Sequence, residues 1–78
     1  MMESLLCVPF GMSVKVGVLN AAGACRRRLL DLGLTPGAYT TCLYAAPSGN
    51  PKAYLIRGAI IALRNEDAGL VGLEPIKE

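Results

Sequence analysis

The chain has 78 residues, of which 53% come from the set AVILMFWYC and 18% are charged, with no His and a formal net charge of +2. A chain this short buries only about 60% of its unfolded surface, which leaves room for one domain with one thin core and none for a deep cofactor cleft. Low charge and abundant aliphatic side chains exclude a disordered chain, and so small a net charge leaves no electrostatic footprint for nucleic acid or an anionic membrane.

Leu5 to Val8 read as a short opening segment beside the sheet, and Pro9-Phe10-Gly11 as a turn. From Met12 the chain alternates. Met12, Val14, Val16 and Val18 are predicted to face the core, and Ser13, Lys15 and Gly17 to face away from it. The run from Asn20 to Gly23 breaks this period. Ala24 to Leu32 then carries Cys25, Leu29 and Leu32 at i, i+4 and i+7, an apolar helical stripe, with Arg27 and Asp31 spaced as an i, i+4 ion pair. Gly33 sits where a left-handed residue ends a helix, with Leu34 placed to fold back on Leu29 or Leu30. Thr35-Pro36-Gly37 has the order of a type II turn, Pro at i+1 and Gly at i+2.

Ala38 to Ala46 is predicted as a strand, Pro47 to Pro51 as a loop, and Tyr54 to Ile56 as the return strand of a hairpin. Gly58 is a tight bend leading into a strand from Ala59 to Arg64. Asn65 is expected to cap one helical turn through Glu66, Asp67 and Ala68, and Leu70 to Glu74 form the last strand, ended by Pro75. About five short strands, with one α-helix between the first strand and the rest, make the chain mainly β and favour a partly open barrel. The predicted core is Met12, Val14, Val16, Val18, Leu29, Ile56, Ile61, Leu63, Val71 and Leu73. Alternation puts Leu43, Leu55 and Ile60 on the opposite faces, where they stay exposed until a partner covers them.

Residues 32–51 are uncharged and long enough to span a bilayer, but Pro36, Pro47 and Pro51 break them as a helix. The N-terminal run carries Glu3 and no basic residue, unlike a signal peptide. Cys7, Cys25 and Cys42 are odd in number, widely spaced and without C-x-x-C, which points to free thiols in a reducing compartment. The expectation is a cytoplasmic protein without direct membrane insertion.

Phosphate-loop, dinucleotide and nucleophile-elbow motifs are absent, and without His no spacing supplies a base for a Ser or Cys nucleophile. We therefore expect no enzyme and no catalytic residue. The three cysteines offer soft thiolates of the kind that suit zinc or ferrous iron; Cys25 on an apolar helix face and Cys42 in mid-strand read as small buried hydrophobes rather than ligands. Arg26, Arg27 and Arg28 are the one local oddity, three cations in the first half of a helix. They read either as a solvated face or as a contact for an acidic or phosphate-bearing partner.

The run Gly23 to Gly37, followed by Ala46-Pro-Ser-Gly-Asn-Pro51, Arg57-Gly58, Ala62-Leu-Arg64 and Glu66-Asp-Ala68, resembles the ferrous iron transport protein A (FeoA) family over about Leu5 to Glu74. The resemblance implies a single small SH3-like barrel over residues 1–78. It also implies an accessory role in ferrous iron uptake, with ferrous iron transport protein B, a membrane permease with a cytosolic GTPase domain, as partner. The same domain is similar to the C-terminal SH3-like module of iron-dependent repressors, so the alternative is a stand-alone metal-responsive regulatory module. Weak binding of a transition metal, ferrous iron or zinc, goes with the resemblance, without a ligand set here. Self-association into a homo-oligomer is a third reading. The family's helix and turn pattern maps onto Arg28-Leu29 and Gly33 to Gly37, and Gly33, Pro36, Gly37 and Gly58 read as structural turn positions. Leu43, Tyr44, Leu55 and Ile60 stand where the family's pattern leads us to expect polar residues. The expected docking residues are Arg26, Arg27, Arg28 and Leu30 on the helix, with Leu43, Leu55 and Ile60 on the strands.

Overall fold

The computed structural model describes residues 4–74. A 3-10 turn, Leu5–Cys7, precedes strand β1 (Ser13–Leu19), helix α1 (Gly23–Asp31), and strands β2 (Tyr39–Ala45), β3 (Lys52–Ile56) and β4 (Ala59–Leu63). A one-turn helix α2 (Asn65–Ala68) and strand β5 (Val71–Leu73) follow. The strands form one antiparallel sheet in the order β4-β3-β2-β1-β5. The mainly β architecture with one principal helix after the first strand is as expected, and the sheet stays open between β4 and β5. Pro75, expected to end the last strand, lies outside the described residues.

Local sequence accounts for most of these boundaries. Gly33 (φ +107°) follows α1; its N–H donates to Leu30 O at 3.0 Å, and that of Leu34 to Leu29 O at 3.1 Å. These are the paired bonds of a Schellman ending, and Leu34 is fully buried beneath it. Ala38 N–H then closes a turn on Thr35 O at 2.9 Å, with Gly37 at φ +92°, as Pro36-Gly37 required. Arg57 and Gly58 both take positive φ, 51° and 81°, the geometry of a two-residue hairpin turn between β3 and β4.

Two expectations for the core fail, and β1 explains both. Val16 pairs with Leu73 and Leu19 with Val71, so β1 advances one residue more than β5 between these pairs. The extra residue is a β-bulge at Gly17. It inverts the alternation: Val18 turns outward, 71% exposed, and Leu19 turns inward. Met12, 40% exposed, precedes the strand and belongs to the turn, its N–H donating to Pro9 O at 3.2 Å. The core gains instead Leu5, Leu34 and Tyr54, all fully buried, beside the expected Val16, Leu29, Cys42, Ile56 and Val71. Ile61 and Leu73 are half-buried against it.

The other helix differs in its cap. Arg64, not Asn65, is the N-cap of α2, with no side-chain capping bond. The Asn65 N–H donates to Asn50 Oδ1 at 2.9 Å and its Nδ2 to Gly49 O at 3.1 Å, which ties the β2–β3 loop to the start of the helix. Among the described residues no helix is long and apolar enough to cross a membrane.

β1 and β5 meet more closely than side chains allow. A Cβ on Gly17 would stand 2.9 Å from the Leu73 carbonyl carbon, and one on Gly72 would stand 2.6 Å from Val18 O. Ser4 bridges to Gly72 from the other side, so β5 is held on both edges. Gly72→Ala must push the backbones apart and should cost about 1–3 kcal/mol, as overpacking does. Urea unfolding checks it, and a midpoint equal to that of the parent chain would show that β5 moves freely to make room.

Candidate functional site

Strand register builds the outer face of the sheet. Ser13 lies opposite Thr41, Thr41 opposite Leu55, and Leu55 opposite Ile60, so one row runs across β1, β2, β3 and β4. The Ser13 and Thr41 hydroxyls share a hydrogen bond of 2.7 Å at the polar end of this row. Leu55 and Ile60, 38% and 61% exposed, form its apolar end. A second row places Tyr44 opposite Ala53 and Ala53 opposite Ala62. Tyr44 is exposed, as is Tyr39, whose ring lies under the Lys15 ammonium, 5.8 Å from nitrogen to centroid.

Leu55 and Ile60 are therefore exposed, as alternation required. Leu43 is half-buried: the pairing of β2 with β3 shifts between Cys42 and Tyr44, and this second bulge takes Leu43 out of simple alternation. Tyr39 is the part of this face that the sequence reading left out, and Tyr44 was singled out there only as a departure from the family's pattern. Their strand positions, two and three residues from Thr41, were the available signal.

The helix residues separate. Arg26 and Arg27 are exposed, whereas Leu30 is half-buried against the core. The ion pair expected between Arg27 and Asp31 is not made; the pairs among the described residues are Arg28 with Asp67 and Lys15 with Glu74. Arg28 Nη2 donates to Asp67 Oδ2 at 2.8 Å, and this hydrogen bond, then the charge of Asp67, raises the guanidinium pKa. Arg28 thus fastens α1 to the first turn of α2. Leu29 of α1 lies in the core with Tyr54 and Ile56, while Leu55 projects from the other face of β3. The structure does not join the arginines and the apolar strand residues in one surface.

The turn glycines do structural work at Gly33. A Cβ there would fall 2.7 Å from Arg57 Cδ, because the Arg57 stem lies across the helix stop with its Nη2 3.4 Å from Thr35 Oγ1.

Cys7 is exposed, Cys25 half-buried and Cys42 buried. No three His, Cys, Asp or Glu side chains come together to hold a metal among the described residues. Burial raises the Cys42 thiol, partly offset by Lys52, which disfavours the thiolate that a soft metal needs. Among the described residues the donors do not fit a resident metal. Opposite Cys42 on β3 stands Tyr54, fully buried, its hydroxyl without a hydrogen-bond partner among the described residues. Burial first, and the neighbouring Cys42 second, push its phenol up to about 12.

A family model for the FeoA domain matches residues 5–75. The chain belongs to the FeoA family. Its fold is shared by solved FeoA structures. It is 31% identical to the FeoA protein of Chlorobium tepidum, with a TM-score of 0.84, over 95% of this chain and 70% of that one. A FeoA-like protein from Clostridium acetobutylicum is 29% identical with a TM-score of 0.83, over 100% of this chain and 93% of that one. Stenotrophomonas maltophilia FeoA in complex with zinc is 28% identical with a TM-score of 0.78, over 95% and 91% of the two chains. That protein is described as a procaryotic SH3 domain protein and put forward as a bacterial ferrous iron transport activating factor. The five-stranded sheet of this FeoA chain is the same small SH3-like fold. Comparison with curated proteins by sequence finds no significant match.

Tyr54 makes a test of the core chemistry. The unfolded chain releases the phenol proton near pH 10 and the folded chain holds it to about 12, so stability is complete below about pH 10 and falls as pH rises towards about 12. Tyr54→Phe removes a buried hydroxyl that has no hydrogen-bond partner among the described residues, and should leave neutral-pH stability equal or higher. It should also abolish this share of the alkaline loss. Denaturant unfolding of both chains across that range checks it; parallel pH profiles would show that Tyr54 is solvated in the folded state.

Proposed function

We propose that the chain is a cytoplasmic accessory protein of ferrous iron uptake, without catalytic activity of its own. Its partner is ferrous iron transport protein B, the membrane permease with a cytosolic GTPase domain, and it binds or regulates that domain. The observation that carries this reading is the FeoA domain match over residues 5–75, together with relatives named for iron transport. The outer face supports it physically. Small monomeric proteins seldom expose contiguous apolar surface without a use for it, and here Tyr44, Leu55 and Ile60 are exposed on adjoining rows of the sheet. Arg26 and Arg27 offer a separate cationic contact on α1.

The zinc complex of the Stenotrophomonas maltophilia relative favours a second reading, a metal-responsive module in which ferrous iron or zinc binds weakly and modulates docking. The scattered donors of this chain support it less well than the docking reading.

Adding the permease's cytosolic domain to the isotope-labelled chain should shift amide resonances on the β3–β4 outer face. Leu55→Glu should weaken the complex about tenfold or more, as loss of a central apolar anchor does. No shift anywhere with the domain would overturn docking. Ferrous iron or zinc added to the reduced chain, with shifts before any partner is present, would favour the second reading instead.

A further inference from the structure

We propose that the open edge of β4 accepts an extended segment of the partner protein as a sixth strand, with an acidic residue of that segment set against Arg64. The proposal rests on the docking reading and names how docking occurs.

The two-residue turn at Arg57-Gly58 makes Ile56 and Ala59 the closing hydrogen-bonded pair of the β3–β4 hairpin. Hydrogen-bonded and non-bonded pairs alternate from there, so Ile60 and Ala62 turn their N–H and C=O groups away from β3. Among the described residues these four groups meet no backbone or side-chain partner. Edge strands are usually guarded by a charge, a proline or a bulge. β4 has none: it reads Ala-Ile-Ile-Ala-Leu and pairs with β3 in unbroken register. The other edge of the sheet is treated differently, since Ser4 bridges to Gly72 and the 3-10 turn covers β5. Among the described residues one edge is covered and one is left open.

Side chains specify the occupant. Ile60 and Leu55 give the incoming strand an apolar neighbour at one end, and Arg64, exposed at the other, has no ion-pair partner among the described residues while Arg28 and Lys15 have theirs. An extended segment with an apolar centre and an acidic end fits both. A second copy fits less well. The two-fold register that uses all four groups pairs Ile60 with Ala62 of the copy, which sets Arg64 against Gly58 of the copy. It offers Arg64 no acid there and brings together two chains of net charge +2.

The probe is a synthetic peptide, Glu-Thr-Val-Thr-Val-Thr-Glu, whose Val and Glu side chains share the face of Ile60 and Arg64, with a twin carrying Lys at both ends, each titrated into the isotope-labelled full chain at low salt. Shifts and slowed amide exchange are expected at Ile60 and Ala62. The acidic peptide should bind more tightly by about two- to fivefold, an advantage that disappears in Arg64→Ala. Ala62→Pro removes an N–H that β3 does not use and should abolish binding with the fold intact. Ile60→Lys, which guards the edge without altering the backbone, should do the same if the proline disturbs folding. Absent binding, equal binding of the twins, or shifts confined to other elements overturns the proposal, as does concentration-dependent pairing of β4 with itself in the absence of peptide. The permease's cytosolic domain separates this from the docking reading. A complex that survives both edge variants overturns strand addition alone, whereas no complex with the parent chain overturns docking and leaves the peptide result to decide the edge.

Discussion

The contact on which this small fold depends is made without side chains. Gly17 on β1 and Gly72 on β5 let two backbones approach until a Cβ on either would touch carbonyl atoms of the other strand. That approach admits the bulge at Gly17, and the bulge decides which residues fill the core: Val16 and Leu19 point in, and Val18 points out. It also brings the last strand against the first, with the Ser4 bridge behind it. In a chain too short for a deep core, closing one edge with backbone spares apolar side chains for the interior.

Around that contact, polar groups hold the elements that the core cannot hold alone. Arg28 spans from α1 to Asp67 on α2, Asn65 holds the β2–β3 loop by two hydrogen bonds, and the Arg57 stem lies over the helix stop at Gly33. Lys52 Nζ donates to Leu6 O at 3.2 Å and ties β3 to the opening turn. Each joins residues far apart in sequence. The outer face can stay apolar because none of these fastenings uses Leu55 or Ile60.

What could be read from sequence alone divides along the same line. The end of α1, the type II turn and the tight bend at Gly58 were legible because Gly33, Pro36-Gly37 and Gly58 act on their own neighbours. The exposure of Leu55 and Ile60 was legible because β3 and β4 pair in unbroken register. Val18 was misplaced because Gly17 in mid-strand signalled a bulge and was read as an ordinary outward position. Leu43 was misplaced by a bulge as well, on β2, where no glycine marks it. The partner of Arg28 could not be read locally, since Asp67 lies on another helix, and Asn65 looked like a cap while serving as an anchor for a loop. The resemblance to FeoA was carried by the turn motifs, the part of the chain where local chemistry and fold coincide.

The pairing of β1 with β5 has a consequence for how the molecule assembles. It joins segments with residues 20–70 between them, whereas β2, β3 and β4 meet through successive hairpins. Loop closure sets its entropic cost against β5 until most of the chain is ordered, so the hairpins form a nucleus and the terminal strand docks late. During synthesis the docking edge of β4 is therefore built before the element that completes the domain. Until that last strand arrives, the nascent chain presents an unguarded strand with an unfinished core behind it, the state most open to pairing with the wrong neighbour.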